Sequence, residues 1–277
     1  AYAHKHTFAD FNINPIIQTN LVAKGYEIPS PIQDQAIPVA LEGKDVIGIA
    51  STGTGKTAAF ALPILNKLIS DKSSAALIIA PTRELAQQIE EECRGLAKNS
   101  GLLGAILIGG TGMGTQLRDL RSNPQIVIGT PGRIKDHLKR GTLKLSQFNV
   151  VVLDEVDRML DMGFVNDVTE ILASINETRQ SFFFSATMDP RVNRLIETFT
   201  NDPVTISLKA SATSENVHQD VVRYRGTGEK MSKLHDLLIK DEVAKVIVFD
   251  ETQRNVERLN KELMERGFSS AAIHGGK

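Results

Sequence analysis

Ala50-Ser51-Thr52-Gly53-Thr54-Gly55-Lys56-Thr57 is the stretch of sequence that decides the fold of this chain. It follows a short apolar run, Asp45 to Ala50, and precedes a helical pattern, Ala58 to Leu68. Spaced glycines let backbone N–H groups turn towards phosphate oxygens, and the N-terminus of the following helix adds partial positive charge. The pattern predicts a phosphate-binding loop between a buried strand and a helix.

The loop also carries the side chains that nucleotide binding requires. Lys56 is expected to reach the β and γ phosphates, and the Thr57 hydroxyl to ligate Mg²⁺. The loop departs from G-x-x-x-x-G-K-[ST] only in carrying Ala50 at the first glycine. A glycine-rich turn without a ligand is the alternative, but it explains neither the lysine nor the threonine. The predicted nucleotide-binding residues of the loop are Ser51, Thr52, Gly53, Thr54, Gly55, Lys56 and Thr57.

Short apolar runs alternate with helical patterns up to about Ser207. Their residues are apolar at successive positions, which is typical of parallel strands covered on both faces. A helix is predicted to begin after Thr82, and another to run from Thr130-Pro131 to Arg140 and end at Gly141. The pattern predicts an α/β fold with a parallel sheet and helices on both faces. The predicted strands are Asp45 to Ala50, Ala75 to Ala80, Ala105 to Gly109, Gln125 to Thr130, Val150 to Asp154 and Ser181 to Ser185.

Composition limits the classes of protein to which the chain can belong. Its 277 residues are 41% hydrophobic and carry a net charge of -1, so no global positive field attracts nucleic acid, and any such partner must be bound locally. The single cysteine, Cys93, is predicted to be a small helix residue and excludes an internal disulfide. Apolar stretches are too short for a membrane helix, and the first residues lack the apolar core of a signal peptide. We expect a cytoplasmic protein with no membrane or disulfide-linked partner.

A second candidate site follows the apolar run Val150 to Leu153. The next four residues are Asp154-Glu155-Val156-Asp157, and parallel sheets bind ligands at this end of their strands. Asp154 is expected to hold Mg²⁺ through a water molecule, and Glu155 to orient and deprotonate the attacking water. Such an acidic tetrad alone is usually a solvated loop. Its position after a buried strand, together with the phosphate-binding loop, favours a nucleoside-triphosphate hydrolase.

The order of these motifs resembles that of the DEAD-box ATP-dependent RNA helicases, most closely of the bacterial type. The segment Gly25 to Gln33 is similar to the family's adenine-binding segment, with Phe8 at the matching upstream aromatic position. Val156 departs from the family's alanine, and the three acidic residues are all present. The other matching motifs are Ala50 to Thr57, Pro81 to Ala86, Gly109-Gly110, Thr130 to Arg133, Asp154 to Asp157 and Ser185 to Thr187.

The resemblance implies roles for residues around the nucleotide. Gln33 would make a two-pronged contact with adenine, which suits an amide because it offers a donor and an acceptor together, and Phe8 would stack on the base. Without its neighbours, Gln33 would be better explained as a surface amide after a proline turn. Ser185 and Thr187 would couple hydrolysis to domain motion, with Asp157 bonded to them. Their alternative role is to cap the helix that follows Pro190.

The resemblance also implies RNA contacts at two helix starts. These are Pro81-Thr82-Arg83 and Thr130-Pro131-Gly132-Arg133, where hydroxyl, backbone N–H and guanidinium groups suit phosphates. Such contacts bind the RNA backbone without selecting bases, and ordinary helix capping is the alternative. Gly110 would allow close approach of RNA. The run Gly109 to Gly114 does not have the spacing of a dinucleotide-binding fingerprint.

The residues that follow position 208 are small and polar, unlike the alternating apolar and helical patterns before them. We predict an N-terminal RecA-like domain over residues 1–208, a linker over 209–216 and a partial second RecA-like domain over 217–277. In the last range, Gln219 to Tyr224, Lys245 to Phe249 and Ser270 to Ile273 are predicted strands. Met231 to Leu238 and Gln253 to Arg266 are predicted helices. Thr252 matches a family threonine that helps to hold an RNA phosphate.

The resemblance ends within this second domain. His274-Gly275-Gly276 is similar to a family segment, but the family's later arginine motifs have no match in these residues. We expect an interrupted domain with weak order after about Asn216. We expect the chain to bind nucleotide, to bind RNA weakly and to show little RNA-stimulated turnover. A helicase that unwinds short duplexes, an ATP-gated RNA clamp or scaffold, and a DNA-directed relative all remain open, as do the RNA target and the oligomeric state.

Overall fold

A computed structural model describes residues 2–208, 220–241 and 243–277 of the chain. The chain divides into two compact units, Ala1–Ala212 and Thr213–Lys277, and each is described by itself. The predicted linker, 209–216, lies outside the described residues, so its structure stays a prediction. Within the described ranges, no helix has both the length and the apolar character needed to cross a membrane.

The first unit is built on a seven-stranded sheet in which every neighbouring pair is parallel. The strand order is β3-β4-β2-β5-β6-β1-β7, and it confirms the predicted α/β parallel sheet. All carboxyl ends of the strands therefore lie at one edge, where α/β proteins place their sites. The strands are β1 Val46–Ile49, β2 Ala76–Ile79, β3 Gly104–Leu107, β4 Ile126–Gly129, β5 Val150–Leu153, β6 Gln180–Ser185 and β7 Val204–Ser207.

Six of these strands coincide with the predicted runs, and β7 was missed. Among the described strands, β7 pairs only with β1, and it lies at the end of the sheet. Of its four residues only Ile206 is buried, whereas all four residues of β5 are buried. A strand at the end of a sheet can be largely polar, so the apolar runs that identify central strands do not identify β7.

Eleven α-helices belong to the described residues, and several begin with clear local signals. Thr82 accepts a hydrogen bond from the Leu85 N–H, and α6 begins at Pro131, as predicted, and ends at Lys139, one residue before the predicted end at Arg140. Short 3₁₀ helices cover Phe8–Asp10 and Leu145–Gln147. The α-helices are α1 Pro15–Ala23, α2 Pro31–Leu41, α3 Lys56–Ser70, α4 Arg83–Leu96, α5 Met113–Arg121, α6 Pro131–Lys139, α7 Val156–Asp161, α8 Val165–Ala173, α9 Pro190–Phe199, α10 Gly226–Leu238 and α11 Gln253–Glu265.

The core lies on both faces of the sheet. Because side chains alternate along a strand, Ile78 packs in a cluster with α1 to α4, and its neighbour Leu77 packs in a second cluster with α6 to α9. The phenylalanines of β6 divide in the same way: Phe182 and Phe184 join the first cluster, and Phe183 joins the second. This double covering explains why the central strands are apolar at every position.

The second unit contains α10 and α11, which confirms both helices predicted there. The three strand predictions in this unit are wrong for the described residues: 220–224, 245–249 and 270–273 form no strand. Ile247, Phe249 and Ile273 are 81%, 90% and 88% exposed. A strand requires a hydrogen-bonded neighbour as well as a suitable sequence, and the described part of this unit offers none.

Candidate active site

The phosphate-binding loop joins β1 to α3, and its glycines are required by its shape. Gly53 and Gly55 have φ angles of 81° and 90°, in the left-handed region that favours glycine. A Cβ atom at Gly55 would also lie 2.6 Å from Gln33 Nε2. The loop then enters α3 at Lys56, which is the first helical residue. The backbone N–H groups at this helix start are the groups that bind anions.

Lys56 and Asp154 form a buried ion pair at the centre of the site. The Lys56 Nζ atom lies 3.6 Å from Asp154 Oδ1, and the two side chains are 6% and 3% exposed. Burial raises the pKa of Asp154, and the neighbouring Lys56 ammonium opposes that rise. The pair links the helix start after β1 to the end of β5, so the predicted phosphate ligand and the predicted metal ligand lie together.

Glu155 has an unusual backbone conformation. Its φ and ψ are 54° and 55°, in the left-handed region, and it occupies the N-cap position of α7. Outside glycine such a conformation costs on the order of 1–3 kcal/mol and is commonly found at functional sites. Its Oε1 accepts a hydrogen bond from Thr52 Oγ1 at 3.2 Å, and its Oε2 accepts one from Arg158 Nη1 at 3.0 Å. The carboxylate is therefore held against the phosphate-binding loop.

Asp157 joins the same acidic segment to the end of β6. The Thr187 N–H and Oγ1 donate to Asp157 Oδ2 at 3.0 and 2.9 Å, and the Asp157 N–H donates to Ser185 Oγ at 3.3 Å. This confirms the predicted bond between Asp157 and the Ser185 to Thr187 segment. The alternative role for that segment is wrong, because Asp189 caps α9 by accepting from the N–H groups of Arg191 and Val192.

The residues predicted to contact adenine are buried in this structure. Gln33 is 4% exposed; its Nε2 donates to the Gly55 carbonyl at 3.0 Å, and its Oε1 accepts from the Ser30 N–H at 2.8 Å. An amide has a second donor and further acceptor capacity, so a base could still bind there. Phe8 is 5% exposed and packs edge-on against Tyr26, with ring centroids 5.5 Å apart. Stacking on a base would require one face of the Phe8 ring to become exposed.

Asp34, next to Gln33, was not identified from the sequence. It is buried in α2 and anchors the chain before Phe8. Its carboxylate accepts hydrogen bonds from Tyr2 OH at 2.7 Å, from the Lys5 N–H at 2.9 Å, and from His6. Burial alone would raise the pKa of Asp34, but these hydrogen bonds outweigh it and lower the pKa to about 2. No sequence pattern marks a bond between residues so far apart in the chain.

Most of the residues predicted to bind RNA phosphates line one surface cavity of about 550 Å³. It lies between the starts of α4 and α6. Pro131 is buried beside it as the first residue of α6. Among the residues predicted to bind RNA, Thr252 belongs to the second unit, where its Oγ1 caps α11 by accepting from the Asn255 N–H at 3.2 Å. The cavity is lined by Pro81, Thr82, Arg83, Glu84, Gly109, Thr130, Gly132, Arg133, Asp136, Met162 and Phe164.

The paired glycines make room for Arg83. A Cβ atom at Gly109 would lie 3.1 Å from Arg83 Nη2, and one at Gly110 would collide with Arg83 Nη1. Gly110 also has a φ of 79°. The close approach predicted at Gly110 is thus made, in this structure, by the guanidinium group that faces the cavity. Arg133 lies across the cavity, with its Nη1 buried and without a hydrogen-bond partner among the described residues.

A phosphate-binding loop joined to two carboxylates on a parallel sheet defines the class of P-loop nucleoside-triphosphate-binding proteins. The family described as DEAD/DEAH box helicase matches residues 30–195, and the chain belongs to this family. Two solved structures resemble it across most of its length. A DEAD box protein from Methanococcus jannaschii has a TM-score of 0.72 and 36% identity, covering 99% of this chain and 74% of that one. A hypothetical ATP-dependent RNA helicase from Sulfolobus tokodaii has a TM-score of 0.68 and 31% identity, covering 90% and 72%.

Curated bacterial relatives are similar over nearly the whole chain. The ATP-dependent RNA helicase CshA of Limosilactobacillus reuteri is 42% identical over 97% of this chain and 54% of that protein. CshA of Listeria monocytogenes is 43% identical over 97% of this chain and 52% of that protein. This chain therefore spans about half the length of these relatives. The resemblance to DEAD-box helicases and the RecA-like fold predicted from it are both confirmed.

Proposed function

We propose that this chain binds ATP with Mg²⁺ at the phosphate-binding loop and the backbone of RNA at the cavity between α4 and α6. One observation carries the first part: Lys56 lies against Asp154, and Thr52 bonds to Glu155. These contacts support the proposal because they bring together the side chains proposed to bind phosphate, to hold the metal and to orient water. In the whole protein, we infer that ATP binding and hydrolysis remodel short RNA duplexes.

Each residue of the site has a defined task in this proposal. Lys56 neutralises charge on the β and γ phosphates, as in other phosphate-binding loops. Glu155, held by Thr52 and Arg158, orients the attacking water and accepts its proton. The Thr57 hydroxyl and the Asp154 carboxylate are hard oxygen donors, and they suit Mg²⁺, which neutralises developing negative charge when it is bound.

The segment Ser185 to Thr187, at the end of β6, is proposed to transmit the effect of hydrolysis from the nucleotide site to the rest of the protein. Thr187 bonds to Asp157, which lies two residues after Glu155 on α7. A movement of Glu155 would therefore act on a residue only two positions away from the partner of Thr187. We propose that Ser185 and Thr187 use this connection to couple hydrolysis to movement between domains.

RNA binding follows from local charge in a nearly neutral protein. Arg83 and Arg133 face one cavity, and the helix starts beside them present N–H groups to phosphates. Such contacts carry no base information, so we propose sequence-nonspecific binding, to which Thr252 adds a further phosphate contact. We also propose a cytoplasmic location, because Cys93 is a free, buried thiol that suits a reducing compartment.

The proposal is tested by titrating the chain with a fluorescent ATP analogue and Mg²⁺, with Lys56→Met and Lys230→Met as a matched pair. Lys56 is 6% exposed in its ion pair and Lys230 is 44% exposed in its own. We expect Lys56→Met to weaken nucleotide affinity at least ~30-fold, because the ammonium proposed to neutralise the β and γ phosphates is lost, and Lys230→Met to leave it unchanged. Equal affinity in the two variants would refute the site.

Turnover is tested separately from binding. We expect the chain to release little phosphate when single-stranded RNA is added, because the arginine motifs that contact the γ-phosphate in the family have no match in these residues. An arginine finger contributes ~10³ to 10⁵ in rate in related reactions. Robust RNA-stimulated hydrolysis by this chain would contradict that expectation and leave the assignment of the nucleotide site intact.

A further inference from the structure

Two buried polar side chains connect segments that border the cavity between the starts of α4 and α6, where RNA binding is proposed. Gln116 of α5 is 2% exposed and His137 of α6 is 0% exposed, and Gln116 Oε1 lies 3.0 Å from His137 Nε2. Neither lines the cavity or the nucleotide site. Buried polar groups are costly unless they are fully hydrogen-bonded, so their pairing in the interior requires an explanation.

The partners of Gln116 fix how the whole network is bonded. Its Nε2 lies 2.9 Å from the Ile108 carbonyl oxygen and 2.7 Å from Thr111 Oγ1. A carbonyl oxygen can only accept, so the amide nitrogen must face Ile108 and the amide oxygen must face His137. His137 therefore donates from Nε2, and its Nδ1 lies 2.8 Å from Thr142 Oγ1, which also donates to the His137 carbonyl oxygen at 3.1 Å.

This arrangement requires a proton on His137 Nε2. Burial lowers the pKa of His137, and the nearby Arg133 guanidinium lowers it further, which favours a neutral imidazole. Nε2 is bonded to Gln116 and Nδ1 to Thr142, so neither ring nitrogen is available for another role. The geometry thus describes a fixed connection through Nε2.

The connection joins the two sides of the cavity. At one end, Ile108 and Thr111 flank Gly109-Gly110, against which the Arg83 guanidinium lies. At the other end, His137 belongs to the helix that begins with Pro131, Gly132 and Arg133. We propose that Gln116 and His137 are positioning residues for RNA, which hold these two phosphate-binding segments at one spacing. The inference rests on the proposed binding of RNA at this cavity.

The first test removes the amide at the centre of the network. Gln116→Met keeps the length and neutrality of the side chain but removes the donors to Ile108 and Thr111 and the acceptor for His137 Nε2. Gln180→Met is the matched control, because Gln180 is also buried and its Nε2 donates to two carbonyl oxygens, those of Ala40 and Lys44, both at 2.9 Å. We expect Gln116→Met to weaken binding of fluorescein-labelled oligouridylate ~10-fold, with ATP affinity unchanged, and the control to leave both unchanged.

The second test asks whether a donor at the histidine position is sufficient. His137→Gln retains an N–H donor that can reach Gln116, and His137→Leu removes it. We expect the first to bind RNA within about 3-fold of the original chain and the second ~10-fold more weakly. The salt dependence should also become shallower in His137→Leu, because fewer phosphates are contacted. Equal losses in the two variants would indicate a merely structural role and overturn the proposal.

A spectroscopic measurement applies even if a variant folds poorly. The ¹⁵N chemical shifts of the His137 ring in the original chain should show a proton on Nε2, and a ring protonated on Nδ1 alone would overturn the network. If the original chain binds no RNA, the proposed function fails with the inference. If it binds RNA and Gln116→Met and His137→Leu bind equally well, only the inference fails.

Discussion

Two similar apolar runs have different structures in the two units. Val150–Leu153, with the sequence Val-Val-Val-Leu, forms β5 and is wholly buried. Val246 to Phe249, with the sequence Val-Ile-Val-Phe, forms no strand, and Phe249 is 90% exposed. β5 has β2 and β6 as hydrogen-bonded neighbours. The comparison shows that such a sequence encodes the capacity to form a strand, whereas its neighbours decide whether the strand forms.

The largest test of this comparison replaces one phenylalanine in each unit. Phe183→Ala should lower the free energy of unfolding by about 3–5 kcal/mol, because the fully buried ring leaves a cavity in the core. Phe249→Ala should change it by less than about 0.5 kcal/mol, because the ring is exposed. Urea unfolding followed by circular dichroism measures both. A loss of similar size for Phe249→Ala would show that the second unit is packed in solution and would contradict the comparison.

A smaller loss in the free energy of unfolding is expected at acid pH, from protonation of Asp34 in the first unit. The pKa of Asp34 is about 2 in the folded chain and 3.8 ordinarily, so its stabilisation is complete above about pH 4 and is lost as the pH falls towards 2. The loss should be about 2 kcal/mol. Asp34→Ala should make the free energy of unfolding less dependent on pH between 5 and 2.

Asp250 of the second unit provides the matched control for acid. Its pKa is also lowered, first by the Asn255 side chain and then by the Glu251 N–H and Lys230. One of these partners, Lys230, is 44% exposed, so solvent screens that pair and Asp250→Ala should leave most of the pH dependence in place. If the two variants have the same pH profile, the Asp34 anchor does not form in solution.

The smallest effect concerns helix caps, where the two units are alike. Thr82 and Thr252 each accept a hydrogen bond at 3.2 Å from the N–H group three residues later. Changing either to alanine should cost about 1 kcal/mol, and changing it to serine should cost much less. Thermal unfolding and helix content measure the change. Loss of helix content for Thr82→Ala alone would show that α11 does not depend on its local cap.

Local and periodic signals in the sequence predicted much of the first unit and of the candidate site. Buried strands such as β5 were identified because both of their faces are apolar. Helix starts at Thr82 and Pro131 were identified from capping residues. The bond between Asp157 and Thr187 followed from the family resemblance, not from any periodicity.

Features that depend on distant contacts could not be predicted in this way. β7 needs only one buried residue because it lies at the end of the sheet. The partner of Asp34 is a segment 28 to 32 residues earlier in the chain. Gln116 and His137 are 21 residues apart, and no spacing rule relates them. The strand predictions of the second unit were wrong for the converse reason, since they assumed neighbours that the described residues do not provide.

Because Glu155 has a left-handed backbone conformation, fold stability and the proposed activity favour different residues at this position. Glycine or asparagine adopts this conformation with less strain, so either residue would stabilise the fold at position 155. Neither offers the carboxylate that bonds to Thr52 and faces the nucleotide site. Under the proposed function, a directed-evolution screen of the whole protein for heat resistance alone would favour replacing Glu155, whereas a screen for turnover would retain the strain. Position 155 would then be where thermostability and activity trade against each other.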